Sequence, residues 1–384
     1  MKVVIAIDSF KGSLSTFESG EAVSEGIKSV FPDADTLVCP LADGGEGTVE
    51  AIVATCGGEL CSPSVTGPLG EPVEATYGVV KDTAIIEMSS AAGLTLVPEE
   101  KRNPMNTTTY GVGEMIRHAI EVKGCRRFIV GIGGSATNDG GVGMLQALGF
   151  GFYDSNGDPI GRGARGLENL ASITRDNVLP ELCECRFDIA CDVKNLLCGP
   201  TGCSAIYAAQ KGASKSEIEI MDGWLSSYAE LTARFAGKDN STLEGAGAAG
   251  GMGFAFVSYL GASLRSGIEL VLEATGLEEK LRDADIVVTG EGRLDGQSCM
   301  GKAPVGVAKA AKKYNKTVIA FSGAVSPDAQ LVNSHGIDAF FPIVRAPITL
   351  AEAMDKKNAY TNLKNTAEQV FRLIAVSDNI IKAI

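Results

Sequence analysis

The chain has 384 residues, 45% of them hydrophobic and 21% charged, which is the composition of a globular protein and suggests two domains. Its formal net charge of −13 argues against nucleic acid, though a local pocket of Lys, Arg and backbone N–H groups can still hold a small anion. Ten scattered cysteines without a Cys-x-x-Cys, together with only two histidines, argue against a disulfide scaffold, a zinc site and His-based nucleophilic chemistry. Acid–base work is left to carboxylates or lysine.

Residues 3–7 read as a buried strand that stops at Asp8, too early for a signal peptide. No run reaches the roughly 18 apolar residues of a membrane span, so a cytoplasmic protein with no membrane partner is expected. A helix is predicted over 16–30, a strand over 36–39 and a helix over 48–54. Strands at 73–80 and 84–88 form a hairpin joined by Lys81-Asp82. Next come a helix over 111–122, a strand over 128–131, a helix over 142–148, a strand over 187–190 and a helix over 216–235. A strand over 286–289 runs into a Gly-rich loop, followed by a helix over 305–314 and strands over 318–321 and 339–343. These short β-branched runs suit buried parallel strands. The expected fold is α/β. Residues 1–60 and 285–384 form a Rossmann-like, flavodoxin-like doubly wound domain, 61–284 an inserted α/β domain, and the site lies in the cleft between them.

The 47 glycines gather at strand ends. The clusters are Ala42-Asp43-Gly44-Gly45-Glu46-Gly47-Thr48, Gly131-Ile132-Gly133-Gly134-Ser135-Ala136-Thr137-Asn138-Asp139-Gly140-Gly141, the stretch 245–253, and Thr289-Gly290-Glu291-Gly292-Arg293-Leu294-Asp295. Glycine allows positive φ and close approach of backbone N–H groups to an anion, and a following helix adds its N-terminal dipole. Gly245-Ala246-Gly247-Ala248-Ala249-Gly250 matches a dinucleotide fingerprint, but no strand precedes it. Gly296-Gln297-Ser298-Cys299-Met300-Gly301-Lys302-Ala303 resembles a phosphate-binding P-loop with Ala in place of the magnesium-binding hydroxyl. Asp8, Asp43, Glu46, Asp139, Asp192, Glu291 and Asp295 stand at strand ends or in these loops, with Lys11, Arg293 and Lys302 as loop-borne cations. Carboxylates that hold magnesium or orient a hydroxyl, beside cations for a transferring phosphoryl, are the parts phosphoryl transfer needs.

Asp8-Ser9-Phe10-Lys11-Gly12-Ser13, the 42–48 and 133–141 segments, Gly247-Ala248-Ala249-Gly250-Gly251-Met252-Gly253, the 289–295 segment and Gly301-Lys302-Ala303-Pro304 together resemble the bacterial glycerate kinase family, in order and spacing. The resemblance implies ATP- and magnesium-dependent phosphorylation of D-glycerate, with 2-phosphoglycerate as the expected product. Asn195-Leu196-Leu197 and Tyr207-Ala208-Ala209 depart from the family's usual Asn-Pro-Leu and Phe-Gly-Pro, leaving Asp192, Asn195, Gln210 and Lys211 available. On this reading Asp192 orients or deprotonates the attacking hydroxyl, with Asp8 the second candidate, and Lys11 and Arg293 balance charge. Ser9, Lys11, Asp43 and Arg293 hold substrate. Gly133, Gly134, Ser135, Asn138, Asp139, Gly250 and Gly251 hold the nucleotide, and Glu291 and Asp295 the metal. A monomer or homodimer is expected. The competing readings are a nicotinamide-dependent oxidoreductase of a small hydroxy acid and a non-catalytic sugar-acid sensor.

Overall fold

A computed structural model describes residues 1–381. The apolar run Val3-Val4-Ile5-Ala6-Ile7, at most 1% exposed, forms the strand Lys2–Ile7. A strand covered on both faces has no need of polar alternation. It pairs in parallel with Asp35–Val38 on one side and Ile286–Leu294 on the other. Thr317–Val325 and Ala339–Pro342 complete a five-stranded sheet, parallel throughout. The helix Thr16–Lys28 opens on a capping box between Ser15 and Glu18, which satisfies N–H groups that its first turn would otherwise leave unpaired. It packs on the helix Lys356–Ile381, and Gly26 permits the approach: a Cβ there would stand 2.4 Å from the Lys364 carbonyl oxygen. Val23 and Ile27 meet Leu363 and Phe371 in a core with Val3, Ile5 and Phe321. These elements belong to one compact unit of Met1–Asp43, Ala54–Cys56 and Val271–Ile384.

Gly44–Val53 and Gly57–Leu270 make a second unit. Its six-stranded sheet runs Ser263–Arg265, Arg186–Ala190, Arg127–Gly131, Thr83–Glu87, Tyr77–Val80, Glu59–Cys61. The first four strands are parallel, and the last two join by antiparallel pairing. Phe128 and Phe187 stack across neighbouring strands with ring centroids 4.7 Å apart, inside a core that also takes Met115, Ile116, Tyr228 and Phe254. Among the described residues no helix is long and apolar enough to cross a membrane.

Three sequence expectations change. The 289–295 segment is not a loop: the strand Ile286–Leu294 runs through its glycines, because Thr317–Val325 extends alongside and pairs Glu291 with Ser322 and Arg293 with Ala324. Gly290 allows this, since a Cβ there would stand 2.1 Å from the Phe321 carbonyl oxygen. The 73–80 strand divides into Pro72–Glu74 and Tyr77–Val80, which pair with different partners. The 245–253 stretch enters the helix Ala248–Leu260 through left-handed backbone at Ala249, Gly250 and Gly251.

The Gly250 site yields a stability prediction. A Cβ at this position would lie 2.1 Å from the Thr137 carbonyl oxygen and 2.6 Å from the Asn138 Cα, at φ +67°. Gly250→Ala is expected to cost at least about 2 kcal/mol in denaturant unfolding, from overpacking and left-handed strain together. Gly223→Ala is the control. It lies inside the helix Lys215–Ala236 with open space around it, so it should be neutral or stabilising by up to about 1 kcal/mol.

Candidate active site

Parallel sheets present ligands at the carboxyl ends of their strands. In the first unit Ile7 pairs with Gly290, which brings Asp8 and Glu291 to the same end of neighbouring strands. The Asp8 backbone N–H donates to the Gly290 carbonyl at 3.0 Å, and the Asp8 carboxylate accepts from the Ser9 N–H at 2.7 Å. The turn at 10–14 is closed by Phe10 N–H to the Leu14 carbonyl at 2.8 Å, and Gly12 takes a positive φ of 77°. That turn carries Lys11 outward. Asp8, Ser9, Lys11, Asp43, Glu291, Arg293, Asp295 and Lys302 all line one cavity of about 510 Å³.

Its electrostatics are uneven. Burial pushes the Asp8 carboxyl up to about 7, and the nearby Asp43 charge adds to the shift, against the Ser9 N–H and Lys11. Glu291 is also raised, first by burial, while the Ser298 hydroxyl (donating to Oε1 at 2.5 Å) and Lys302 hold it down. Arg293 is exposed, with Nε 3.8 Å from Asp295 Oδ2, so its guanidinium can still meet an anion. Asp295 caps the short helix Gly296–Met300: Oδ1 accepts from the Gln297 N–H at 2.9 Å. The P-loop-like segment is therefore held by a side-chain cap at its first turn.

In the second unit Glu87, Gly131 and Ala190 stand level at the ends of three parallel strands. Beyond them Gly133 and Gly134 are exposed, and so is Asp192, whose Oδ1 accepts from the Gly267 N–H at 3.3 Å. Gly44 reaches the same strand ends: its Cβ would stand 2.7 Å from Ala190 Cβ, and one at Gly131 would stand 2.3 Å from the Gly44 carbonyl oxygen. Sequence reasoning passed over Glu87. It accepts from the Val49 N–H at 3.0 Å, at the start of the helix Thr48–Cys56. Burial pushes its carboxyl up to about 7, and Glu50 and Glu46 raise it further. The available signal was its place as the last residue of a parallel strand.

Several expected nucleotide contacts point inward instead. Asp139 is fully buried and accepts from the Thr109 N–H (2.8 Å), the Thr109 hydroxyl (2.9 Å) and the N–H groups of Gly141 and Gly143. Asn138 donates from Nδ2 to the Ser204 hydroxyl at 2.9 Å. The Ser135 hydroxyl accepts from Lys211 Nζ at 2.7 Å, and the same ammonium donates to the Thr137 carbonyl at 2.6 Å. Lys211 is 2% exposed and burial lowers its pKa to about 8. It holds the loop from beneath and is not open to a ligand. Asn195 is also engaged, donating to the Thr201 carbonyl and accepting from the Tyr207 hydroxyl. Gly250 and Gly251 are packed against backbone at 137–140, so the space their missing side chains leave is filled by protein. The dinucleotide reading of 245–250 fails on the same ground. Of the expected phosphate-binding set, Gly133 and Gly134 are the exposed members.

Comparison with known proteins gives a phosphotransferase family. The glycerate kinase family model matches residues 3–375. The chain is 48% identical over 372 residues to the glycerate kinase of Bacillus subtilis, covering 96% of this chain and 97% of that one. It is 48% identical over 378 residues to the glycerate 2-kinase of Escherichia coli, covering 98% of each. A crystal structure from Salmonella typhimurium LT2, named for glycerate kinase 2, superposes with a TM-score of 0.90 at 48% identity over 99% of both chains. The fold and the family are those of enzymes that transfer phosphate to an alcohol group. The chain belongs to the glycerate kinase family.

The Asp8 environment gives a pH prediction. With its pKa raised from 3.8 to about 7, folded Asp8 keeps a proton that the unfolded chain has lost, so stability falls as pH rises across that window. Asp8→Asn removes this slope. Denaturation midpoints of the ligand-free protein should therefore improve in the variant relative to the parent as pH rises from 4 towards 7, values taken from that window. A difference independent of pH would contradict the assignment.

Proposed function

We propose that the protein transfers the γ-phosphoryl group of ATP to the 2-hydroxyl of D-glycerate, giving 2-phosphoglycerate and ADP. The observation that carries this reading is the cavity that gathers Asp8, Asp43, Glu291 and Asp295 with Lys11, Arg293 and Lys302 at the carboxyl ends of a parallel sheet. The name of the Escherichia coli relative supports the choice of hydroxyl. The first unit is read as a Rossmann-like doubly wound domain and the second as an α/β domain inserted into it. ATP as donor implies a cytoplasmic location.

The hydroxyl oxygen attacks the γ-phosphorus in line as the bond to the β,γ-bridging oxygen breaks, and ADP leaves with that oxygen. Asp192, the exposed carboxylate beyond the Arg186–Ala190 strand, is assigned to orient the hydroxyl and take its proton. Lys11 and Arg293, with exposed charged ends, and Lys302 balance charge on the phosphates and on the glycerate carboxylate. Ser9 and Asp43 complete the substrate contacts. Gly133 and Gly134 offer exposed backbone N–H groups to phosphate oxygens.

Magnesium fits the donor set. Asp8 and Glu291 offer oxygen ligands, and burial raises both carboxyls, a cost that a bound cation would offset. Among the described residues no cluster of three or more metal-binding side chains is preassembled, which suits an ion that keeps waters and shares phosphate oxygens. Glu291 and Asp295 are the residues that would hold it, although Asp295 Oδ1 already accepts from the Gln297 N–H. When bound, the ion supplies charge neutralisation on the β- and γ-phosphate oxygens.

A coupled ADP-release assay with phosphorus NMR of the product tests the reading. Glycerate-dependent ADP release yielding 2-phosphoglycerate is expected, and its absence from folded protein would overturn the proposal. Asp192→Asn should lower kcat by about 10² to 10⁴ with the KM for ATP nearly unchanged, as expected for loss of a general base. Full activity in that variant would remove Asp192 from the proton-transfer role.

A further inference from the structure

The first-unit cavity has two unlike halves. Around Asp8 and Glu291 it is charged. Its other wall is apolar, made by Phe10, Ile343, Val344, Leu350, Ala353 and Met354. Leu350 is 75% exposed and Met354 38% exposed, so these large side chains are not there to fill the core. Leu350 and Met354 bound the short helix Leu350–Met354, fixed at its start by a capping box between Thr349 and Glu352. The wall is joined to the charged half: a Cβ at Gly12 would stand 2.9 Å from Met354 Cε, so the Met354 thioether end lies against the turn that carries Lys11.

Glycerate does not explain this wall. It has three carbons, each bearing oxygen, and no apolar face to bury. The donor does have one, because a purine is a flat apolar body with polar edges. The half-buried Asn362, on the helix Lys356–Ile381, also lines the cavity, and its side chain makes no hydrogen bond to the protein among the described residues. A carboxamide supplies one donor group and one acceptor side by side. That matches the adenine edge, where N1 accepts and the 6-amino group donates. Met and Leu suit the ring faces, and methionine sulfur packs well at aromatic edges. A volume of about 510 Å³ lies in the range of nucleotide-sized pockets.

We infer that the apolar half of this cavity is the purine subsite: it takes the adenine ring of ATP, and Asn362 reads its N1 and 6-amino edge. The phosphates then run past Met354 towards Lys11, Arg293 and Lys302. This rests on the ATP-dependent reading above, and it assigns the base to the first unit and not to the Gly-rich stretch at 245–253.

The test measures equilibrium binding of ADP with magnesium by calorimetry, so it does not depend on turnover of glycerate. Ala353→Trp fills the subsite and should weaken ADP binding at least tenfold, while Asn362→Ala should weaken it at least about fivefold, the size expected for the loss of its two hydrogen bonds. Inorganic tripolyphosphate, which has no base, should bind both variants as it binds the parent. Asn362→Asp, which only accepts hydrogen bonds, should shift preference from ADP towards GDP, whose ring edge donates. Both positions are partly exposed, and unchanged melting temperatures will confirm folding. Unchanged ADP binding in Ala353→Trp, or equal weakening of ADP and tripolyphosphate, would overturn the subsite. Tight ADP binding without glycerate-dependent turnover would instead fail the parent reading and leave the subsite standing.

Discussion

The pairing of Lys2–Ile7 with Ile286–Leu294 is the contact on which the first unit's site depends. It joins segments from opposite ends of the chain, and its register sets Ile7 beside Gly290. Asp8 and Glu291 follow directly, so two carboxylates are brought close in an environment that burial has largely dried. Neither is comfortable there, as the upward shift of both shows. A structure selected for stability alone would place apolar or hydrogen-bonded neutral groups at such a point. Buried acids raised by desolvation, beside cations, are instead what a site looks like when a further positive charge arrives with the ligand.

The second unit spends its buried charge differently. Asp139 and Lys211 are both inside the protein, and burial pulls each towards its neutral form, the acid upwards and the ammonium downwards. Both are hydrogen-bonded to partners from the 135–143 segment and, for Asp139, the Thr109 corner. A buried hydrogen-bond network of this kind fixes backbone. Here it fixes the loop whose exposed corner is Gly133-Gly134. Rigidity beneath and open N–H groups above are complementary parts of one device.

Much of the fold was legible in the sequence because burial leaves a local record. The unbroken apolar run at 3–7 and the β-branched runs at 128–131 and 187–190 each specify an element without help from distant residues. The family resemblance was legible for the same reason, since its motifs are contiguous. What was not legible depends on partners. The segment from Gly290 to Leu294 looks like a loop until a neighbouring strand pairs alongside it. Asp139 and Asp192 look alike in sequence, yet one is sealed and the other exposed, because only one has Thr109 opposite it. Gly250 reads equally as space for a phosphate or for Thr137, and the tertiary fold chooses Thr137. The long helix Lys356–Ile381 went unread, although Ala359, Leu363, Ala367 and Phe371 recur at helical spacing, because polar residues fill the positions between.

The central claim is that the acidic end of the first sheet is where a cation and phosphates complete the charge balance. The most direct measurement is a carbon-13 NMR titration of the Asp8 carboxyl, with and without magnesium–ADP. The account predicts a midpoint near 7 in the free protein, moving down by more than about one unit when magnesium–ADP binds, because nearby positive charge favours the carboxylate. An ordinary carboxylate midpoint in the free protein, or one that does not respond to magnesium–ADP, would contradict it.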